Sequence, residues 1–180
     1  MDNVELHTLI RGCLRNERDY QKKLYTAFYG FAYSIALRYA GCEEEAPIIM
    51  NKGFFNVFDR LSDFNKDKTI AFKSWLKFNI LLAAIEHFFN IKQFPTIPPN
   101  SKINASNPGS DNSETLVPYE DGIKMLHQLH FRRRLVFNLF AIEGYAHERI
   151  AAMLNISVNV SKLLLAEARE NLKCLMSGSC

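Results

Sequence analysis

Apolar residues recur at helical spacing along most of this chain. Leu24, Phe28, Phe31, Ile35 and Tyr39 share one helical face, with Ala32 and Ala36 beside them. Gly41-Cys42 and the acidic run Glu43-Glu44-Glu45 break that helix. Ile49, Phe54, Val57, Phe58 and Leu61 then mark the buried side of a second. A third begins near Ile70 and carries Phe72, Trp75, Leu76, Ile80, Ala83 and Ala84 towards Phe88. No stretch competes with the alternation that a half-buried strand requires. From Gln93 to Val117 the periodicity stops, and Pro95, Pro98, Pro99 and Pro108 stand among Asn and Ser. Such a segment makes no helix and buries little surface. After Pro118 the helical pattern returns through Met125, Leu126, Leu129, Leu135, Val136 and Leu139. The pattern predicts an all-α chain of two small helical domains, residues 1–92 and 119–180, joined by a flexible linker over 93–118.

Within the second domain, Ile142 to Ser157 reads as a helix, a tight turn and the start of another helix. Ile150, Ala151, Leu154 and Ile156 sit where a helix-turn-helix needs its buried contacts. Asn155 falls at the turn, where a left-handed conformation is wanted and Asn tolerates it. Ser157 is placed to cap the following helix. A pair of this kind sets its second helix into the major groove of DNA. Along that helix Leu165, Ala168 and Leu172 form the buried stripe. Leu163 lies about 160° and Leu164 about 100° away from it.

Composition narrows the remaining classes. A 180-residue chain with 48% hydrophobic and 23% charged residues is that of a globular protein of one or two domains. The net charge of +3 makes any nucleic-acid contact local. The apolar run Ile80–Ile85 is too short to span a bilayer, and the N-terminal residues lack a signal-peptide pattern. No membrane insertion and a cytoplasmic location are expected. Cys13, Cys42, Cys174 and Cys180 have no ligand-like spacing, so reduced thiols are expected. His127 and His130 are expected to share a helical face, but no acid or thiol near them in sequence completes a metal set. There is no glycine-rich phosphate loop, no Ser-His-Asp arrangement and no catalytic carboxylate pair. The chain is expected to be no enzyme and to carry no metal or cofactor. Arg132-Arg133-Arg134 opens a helix and reads equally well as a solvated charge run or as a contact to a DNA backbone or a protein partner.

The stretch Val136-Phe137-Asn138-Leu139-Phe140-Ala141-Ile142-Glu143-Gly144-Tyr145-Ala146-His147 resembles the small extracytoplasmic-function group of sigma-70 factors of bacterial RNA polymerase, in a Bacteroidetes-like form. Earlier segments agree, in the family's order. Asp19 to Tyr25 and Ile35 to Tyr39 look like the opening of its first domain. Phe54-Phe55-Asn56-Val57-Phe58-Asp59-Arg60-Leu61 looks like its core-polymerase-binding helix, and Phe72-Lys73-Ser74-Trp75-Leu76 like the start of its promoter-melting helix.

The resemblance implies a dissociable initiation subunit whose partners are core RNA polymerase and promoter DNA. Its first domain would dock on the clamp of the β′ subunit through Asn51, Lys52, Phe55, Asn56, Asp59 and Arg60. It would hold the −10 element with Lys73, Lys77, Glu86, His87, Phe88, Phe89, Asn90 and Lys92. The loop bearing Asn65, Lys66 and Lys68 could hold a flipped base. Exposed aromatic residues there would stack on unpaired bases. Its second domain would sit on the flap of the β subunit and read the −35 element with Tyr145, His147, Asn159, Ser161, Lys162 and Arg169.

Departures from the family pattern are as informative as the matches. Pro47-Ile48 and Asn51-Lys52 stand where the family usually has acids, although Pro47 also suits a first helical turn. Leu82, Glu86 and Phe89 replace an Asn, an Asp and an Arg of the melting helix. Leu163, Leu164 and Glu167 occupy the recognition helix where polar and basic residues are usual. Leu cannot donate a hydrogen bond to guanine or phosphate, and a carboxylate is repelled by the backbone. Weak −35 reading is expected. Leu163, Leu164 and Glu167 form a candidate partner surface, for an anti-sigma factor or for a separate DNA-targeting partner, protein or RNA-guided. Two other readings stay open: a degenerate sigma-like protein that binds polymerase or a regulator without initiating, and a plain helix-turn-helix regulator.

Overall fold

The computed structural model describes residues 3–66, 71–89 and 119–177, and side chains over slightly shorter ranges. In the first domain α1 (Asn3–Leu14), α2 (Arg18–Tyr39), α3 (Ala46–Asp59), α4 (Leu61–Lys66) and α5 (Phe72–Phe89) form a bundle. In the second are α6 (Tyr119–Gln128), α7 (Phe131–Phe137), a π-helical turn (Asn138–Ile142), α8 (His147–Leu154) and α9 (Val158–Ser177). The described residues contain no strand. The sequence linker 93–118 and the loop residue Lys68 lie outside the described residues, as do Asn90 and Lys92.

Each boundary has a local cause. Asn16 takes a left-handed φ of 58° just before α2, whose first free N–H groups reach back to the Glu17 carbonyl. Pro47 stands in the first turn of α3, where its missing N–H costs nothing. It therefore acts as a helix starter at this position. α3 and α5 make the most extensive helix pairing of the fold. Gly53 permits it: a Cβ there would stand 2.7 Å from Ile80 Cγ1 and 3.0 Å from the Ile80 Cα. Leu24, Ile35, Ile49, Met50, Leu76, Ile80 and Ile85 fill the space between α2, α3 and α5.

The two domains are not held apart. The buried core of the first continues into Leu135, Val136, Leu139, Ile150, Met153, Leu154 and Leu165 of the second. A smaller cluster of Ile123, Leu126, Leu129 and Ala168 packs on the half-buried Leu37 of α2. A tether alone would have predicted none of this burial. His127 and His130 also depart from expectation: α6 ends at Gln128, and His130 stands just ahead of α7 at its N-cap position, without a side-chain capping bond. Cys13 and Cys42 carry free thiols, but Cys174 is in a disulfide, against the expectation of four reduced thiols. No single described helix is long and apolar enough to cross a membrane.

Candidate nucleic-acid interface

The helix-turn-helix is built as the sequence requires. α8 and α9 meet at 104°, inside the usual range for such pairs. Asn155 turns the chain with φ 52° and ψ 48°, and the Ile156 N–H closes back on the Ala151 carbonyl at 3.0 Å. Ser157 Oγ accepts from the Val160 N–H at 3.2 Å, which caps α9.

The outward face of α9 carries Asn159, Val160, Lys162, Leu163, Ala166 and Arg169. Leu163 is 57% exposed and Val160 39%. Leu164, by contrast, is half-buried against the core. Glu167 does not point at a would-be phosphate, since it accepts from Arg133 Nε at 2.8 Å. Ser161, expected among the DNA contacts, is fully buried, and its Oγ lies 2.9 Å from His147 Nδ1. Both belong to the joint between α8 and α9, where the His147 ring also stacks on Phe140. Burial, more than the nearby Lys162 charge, holds the His147 pKa below its usual value. Arg169 lies over the other side of this joint, 5.7 Å from the Phe140 ring centre. Tyr145 is half-buried, and burial raises its phenol pKa.

On the first domain, α3 presents Ile48, Asn51, Lys52, Phe55, Asp59 and Arg60 to solvent, with Asn56 half-buried. Phe55 is 62% exposed, and the Lys52 ammonium lies 5.3 Å from its ring centre. Asn51 accepts from the Tyr25 hydroxyl at 2.9 Å. Lys52 also approaches Glu86 of α5, at 3.8 Å. The six residues expected to bind polymerase thus share one face, five of them on α3 and Arg60 at its C-cap.

The residues expected at the −10 element are divided. Lys73 is exposed and its ammonium sits over Phe31. His87 is exposed and lies edge-on to Phe88. The side chains of Asn65, Lys66 and Phe89 are outside the described residues. Leu82 is buried and contributes to the core. Lys77 and Phe88 are engaged by the second domain. Lys77 Nζ is 2.7 Å from Glu143 Oε2, and Phe88 stacks on Phe131 with ring centres 5.6 Å apart and planes 16° apart.

That engagement is the part of the site the sequence did not show. Glu143 accepts from Arg38 of α2 as well, at 3.3 Å, and its own side chain is 3% exposed. Arg134 is buried rather than solvated or free for DNA, which corrects both readings for that residue, while Arg132 is exposed and Arg133 half-buried. Arg134 Nε donates to the Tyr39 carbonyl at 3.0 Å and its Nη1 to the Leu129 carbonyl at 2.9 Å. Its guanidinium lies 5.4 Å from the Phe88 ring centre. Desolvation lowers its pKa, yet a guanidinium stays charged and each donor needs a partner. Asn138 donates to the Arg38 and Arg134 carbonyls, and His127 Nε2 lies 2.9 Å from the Leu37 carbonyl. The junction is not fully satisfied: Arg38 Nε, the Tyr39 hydroxyl and Asn138 Oδ1 are buried without a hydrogen-bond partner. Each such group costs about 1–3 kcal/mol.

Among the described residues no His, Cys, Asp or Glu side chains converge as a metal set.

Comparisons with known proteins place this geometry. The family described as Sigma-70 region 2 matches residues 24–91, and that described as Sigma-70, region 4, matches residues 123–172. No curated protein matches in sequence. Among solved structures, the sigma factor RpoE in complex with the anti-sigma factor NepR from Bartonella quintana superposes with a TM-score of 0.53. It is 16% identical, over 87% of this chain and 96% of that one. CnrH in complex with the cytosolic domain of CnrY gives a TM-score of 0.47 at 19% identity, over 96% of this chain and 97% of that one. With region 2 followed by region 4 over most of its length, the chain belongs to the sigma-70 family of RNA polymerase sigma factors, in the arrangement of its extracytoplasmic-function group.

Proposed function

We propose that this sigma factor joins core RNA polymerase, opens promoters through the −10 element and depends little on a −35 element. Domains 1–92 and 119–180, linked by 93–118, would divide these tasks. The carrying observation is the outward face of α9, where Leu163 stands 57% exposed between Asn159, Lys162 and Arg169. Only those three polar side chains are left there to meet DNA, and a bare Leu offers no hydrogen bond to a base edge. The exposed Phe55 with Asn51, Lys52, Asp59 and Arg60 is the surface for the β′ clamp, and the second domain would rest on the β flap. Lys73, Lys77, Glu86, His87 and Phe88 would take the opened −10 strand, with aromatic stacking contributing about 1–3 kcal/mol per base.

A promoter without −35 reading must be found some other way. Recruitment by a separate DNA-targeting partner, protein or RNA-guided, would raise the local concentration at the start site. Val160 and Leu163 are the apolar surface for such a partner. An anti-sigma factor is the other occupant, as RpoE was solved with one.

Transcription in vitro tests the reading. The chain and core polymerase from its source should initiate on a pre-melted bubble, and poorly on duplex promoter libraries. Efficient use of duplex carrying a −35 motif would refute weak −35 reading. Polymerase binding without initiation on the bubble would refute initiation itself and leave a decoy that occupies polymerase.

A further inference from the structure

We propose that the cleft between α1 and α2 takes up one unpaired base, guanine by preference, from the strand held at the −10 element. The inference rests on the proposed role of Lys73 in holding that strand. The cleft encloses about 570 Å³ and is lined by Glu5 and Leu9 of α1 and by Asp19, Lys22, Lys23 and Ala27 of α2. Sites for small organic groups run from about 300 to about 1,000 Å³. Leu9 is buried and Ala27 ends at its Cβ, so an apolar floor lies open to the face of a base. The walls carry two carboxylates and two ammoniums. Glu5, Asp19, Lys22 and Lys23 are all exposed, and among the described residues none of them forms an ion pair. Acceptors and cations are therefore both open to a ligand, and a nucleotide supplies the complement of each. Its phosphate answers the lysines. Guanine alone among the bases offers two adjacent N–H donors on one edge, which a single carboxylate accepts together, as it does from a guanidinium fork. Thymine turns carbonyl oxygens towards the same carboxylate and is repelled.

The position of the cleft ties it to the strand. Lys23, Ala27 and Phe31 follow one another at four-residue spacing along α2 and so share one face. Lys73 of α5 places its ammonium over Phe31, 5.6 Å from the ring centre, and Lys23 lies over Tyr20 at 5.5 Å. From Phe31 back to Lys23 the helix rises by about 12 Å. Cations and rings therefore alternate from Lys73 to the mouth of the cleft, as they do in grooves that track a single strand. Gly12 fixes the geometry. The Tyr20 ring sits where a Cβ on Gly12 would be, which seats α1 against the start of α2.

Fluorescence anisotropy of the full-length chain tests this with two labelled strands, a short oligo-dT and the same strand with one central dG. The dG strand should bind at least about threefold tighter, less than a water-excluded bidentate pair would give, because the cleft is open. Replacing Glu5→Gln and Asp19→Asn together should abolish the preference while leaving oligo-dT bound no more weakly, since two negative charges are removed. Ala27→Phe fills the cleft from an exposed helical position and should erase the preference as well. Both acids also stand in first helical turns, where they favour the helix. Circular dichroism therefore verifies helix content, and if the double variant loses it, Ala27→Phe carries the test. Equal binding of the two strands by the unaltered chain, or a preference that survives in both folded variants, would overturn the proposal. Displacement of the dG strand by free GTP as readily as by unlabelled dG strand would overturn the single strand as the source and leave a free-nucleotide site. A dG preference without initiation on bubble templates would leave the cleft standing and remove the initiation reading. Initiation on bubbles with equal binding of the two strands would do the reverse.

Discussion

Gly53 and His147 show how much a single position decides. The α3–α5 contact is set by a missing Cβ, since Ile80 backbone and side chain stand where it would be. Gly53→Ala gains helix propensity but forces the two helices apart, and overpacking of this kind costs about 1–3 kcal/mol. Denaturant unfolding should show that net loss, and a stabilised variant would mean the helices separate freely. His147 titrates against its surroundings. Burial lowers its pKa first, Lys162 and Arg169 lower it further, and Glu148 opposes them. Phe140 and Ser161 Oγ complete its contacts. The unfolded chain then takes up a proton near 6.5 before the folded one does. This contribution to stability is present above that pH and is lost as pH falls towards the lower folded value. The melting temperature should therefore drop between about pH 7.5 and about pH 5.5, and His147→Asn should flatten part of the drop. An identical slope in the variant would show that the ring does not carry it. Ser161 stands four residues before Leu165, on the stripe the sequence marks as buried, so its inward face was legible; its histidine partner one helix away was not.

At the scale of elements, the helix-turn-helix was legible almost residue by residue. Its signals are local: a left-handed Asn155, a capping Ser157 and small apolar contacts between them. α2, α3 and α5 were legible for the same reason, each carrying a clear apolar stripe. α1 and the short α4 were not marked off individually, and the π turn left no trace, since one inserted residue barely alters the apolar period. The wheel of α9 also separates Leu163 from Leu164. Leu163 is exposed and Leu164 half-buried, so only the first can be changed without disturbing the core. Leu163→Arg should leave the unfolding midpoint unchanged and tighten binding to duplex DNA, with the salt slope steeper by about 1. No gain in duplex affinity would mean that α9 does not approach the groove.

At the scale of the molecule, the expectation of two domains on a tether met a chain whose core is continuous. Arg134 explains why the sequence concealed this. A run of three arginines reads as surface charge, yet the third donates to a carbonyl 95 positions away. Such backbone acceptors carry no sequence signature. A shared core should unfold as a unit. Calorimetry of the full chain should give one transition whose van 't Hoff and calorimetric enthalpies agree, whereas two resolved transitions would show that the domains fold independently. The two regions look modular in sequence, and the Glu143 junction removes that freedom. A chimera taking its first domain from one relative and its second from another must match positions 38, 77 and 143 together. Exchange of any one of them would leave the buried Glu143 carboxylate short of a cation or the cations short of their carboxylate.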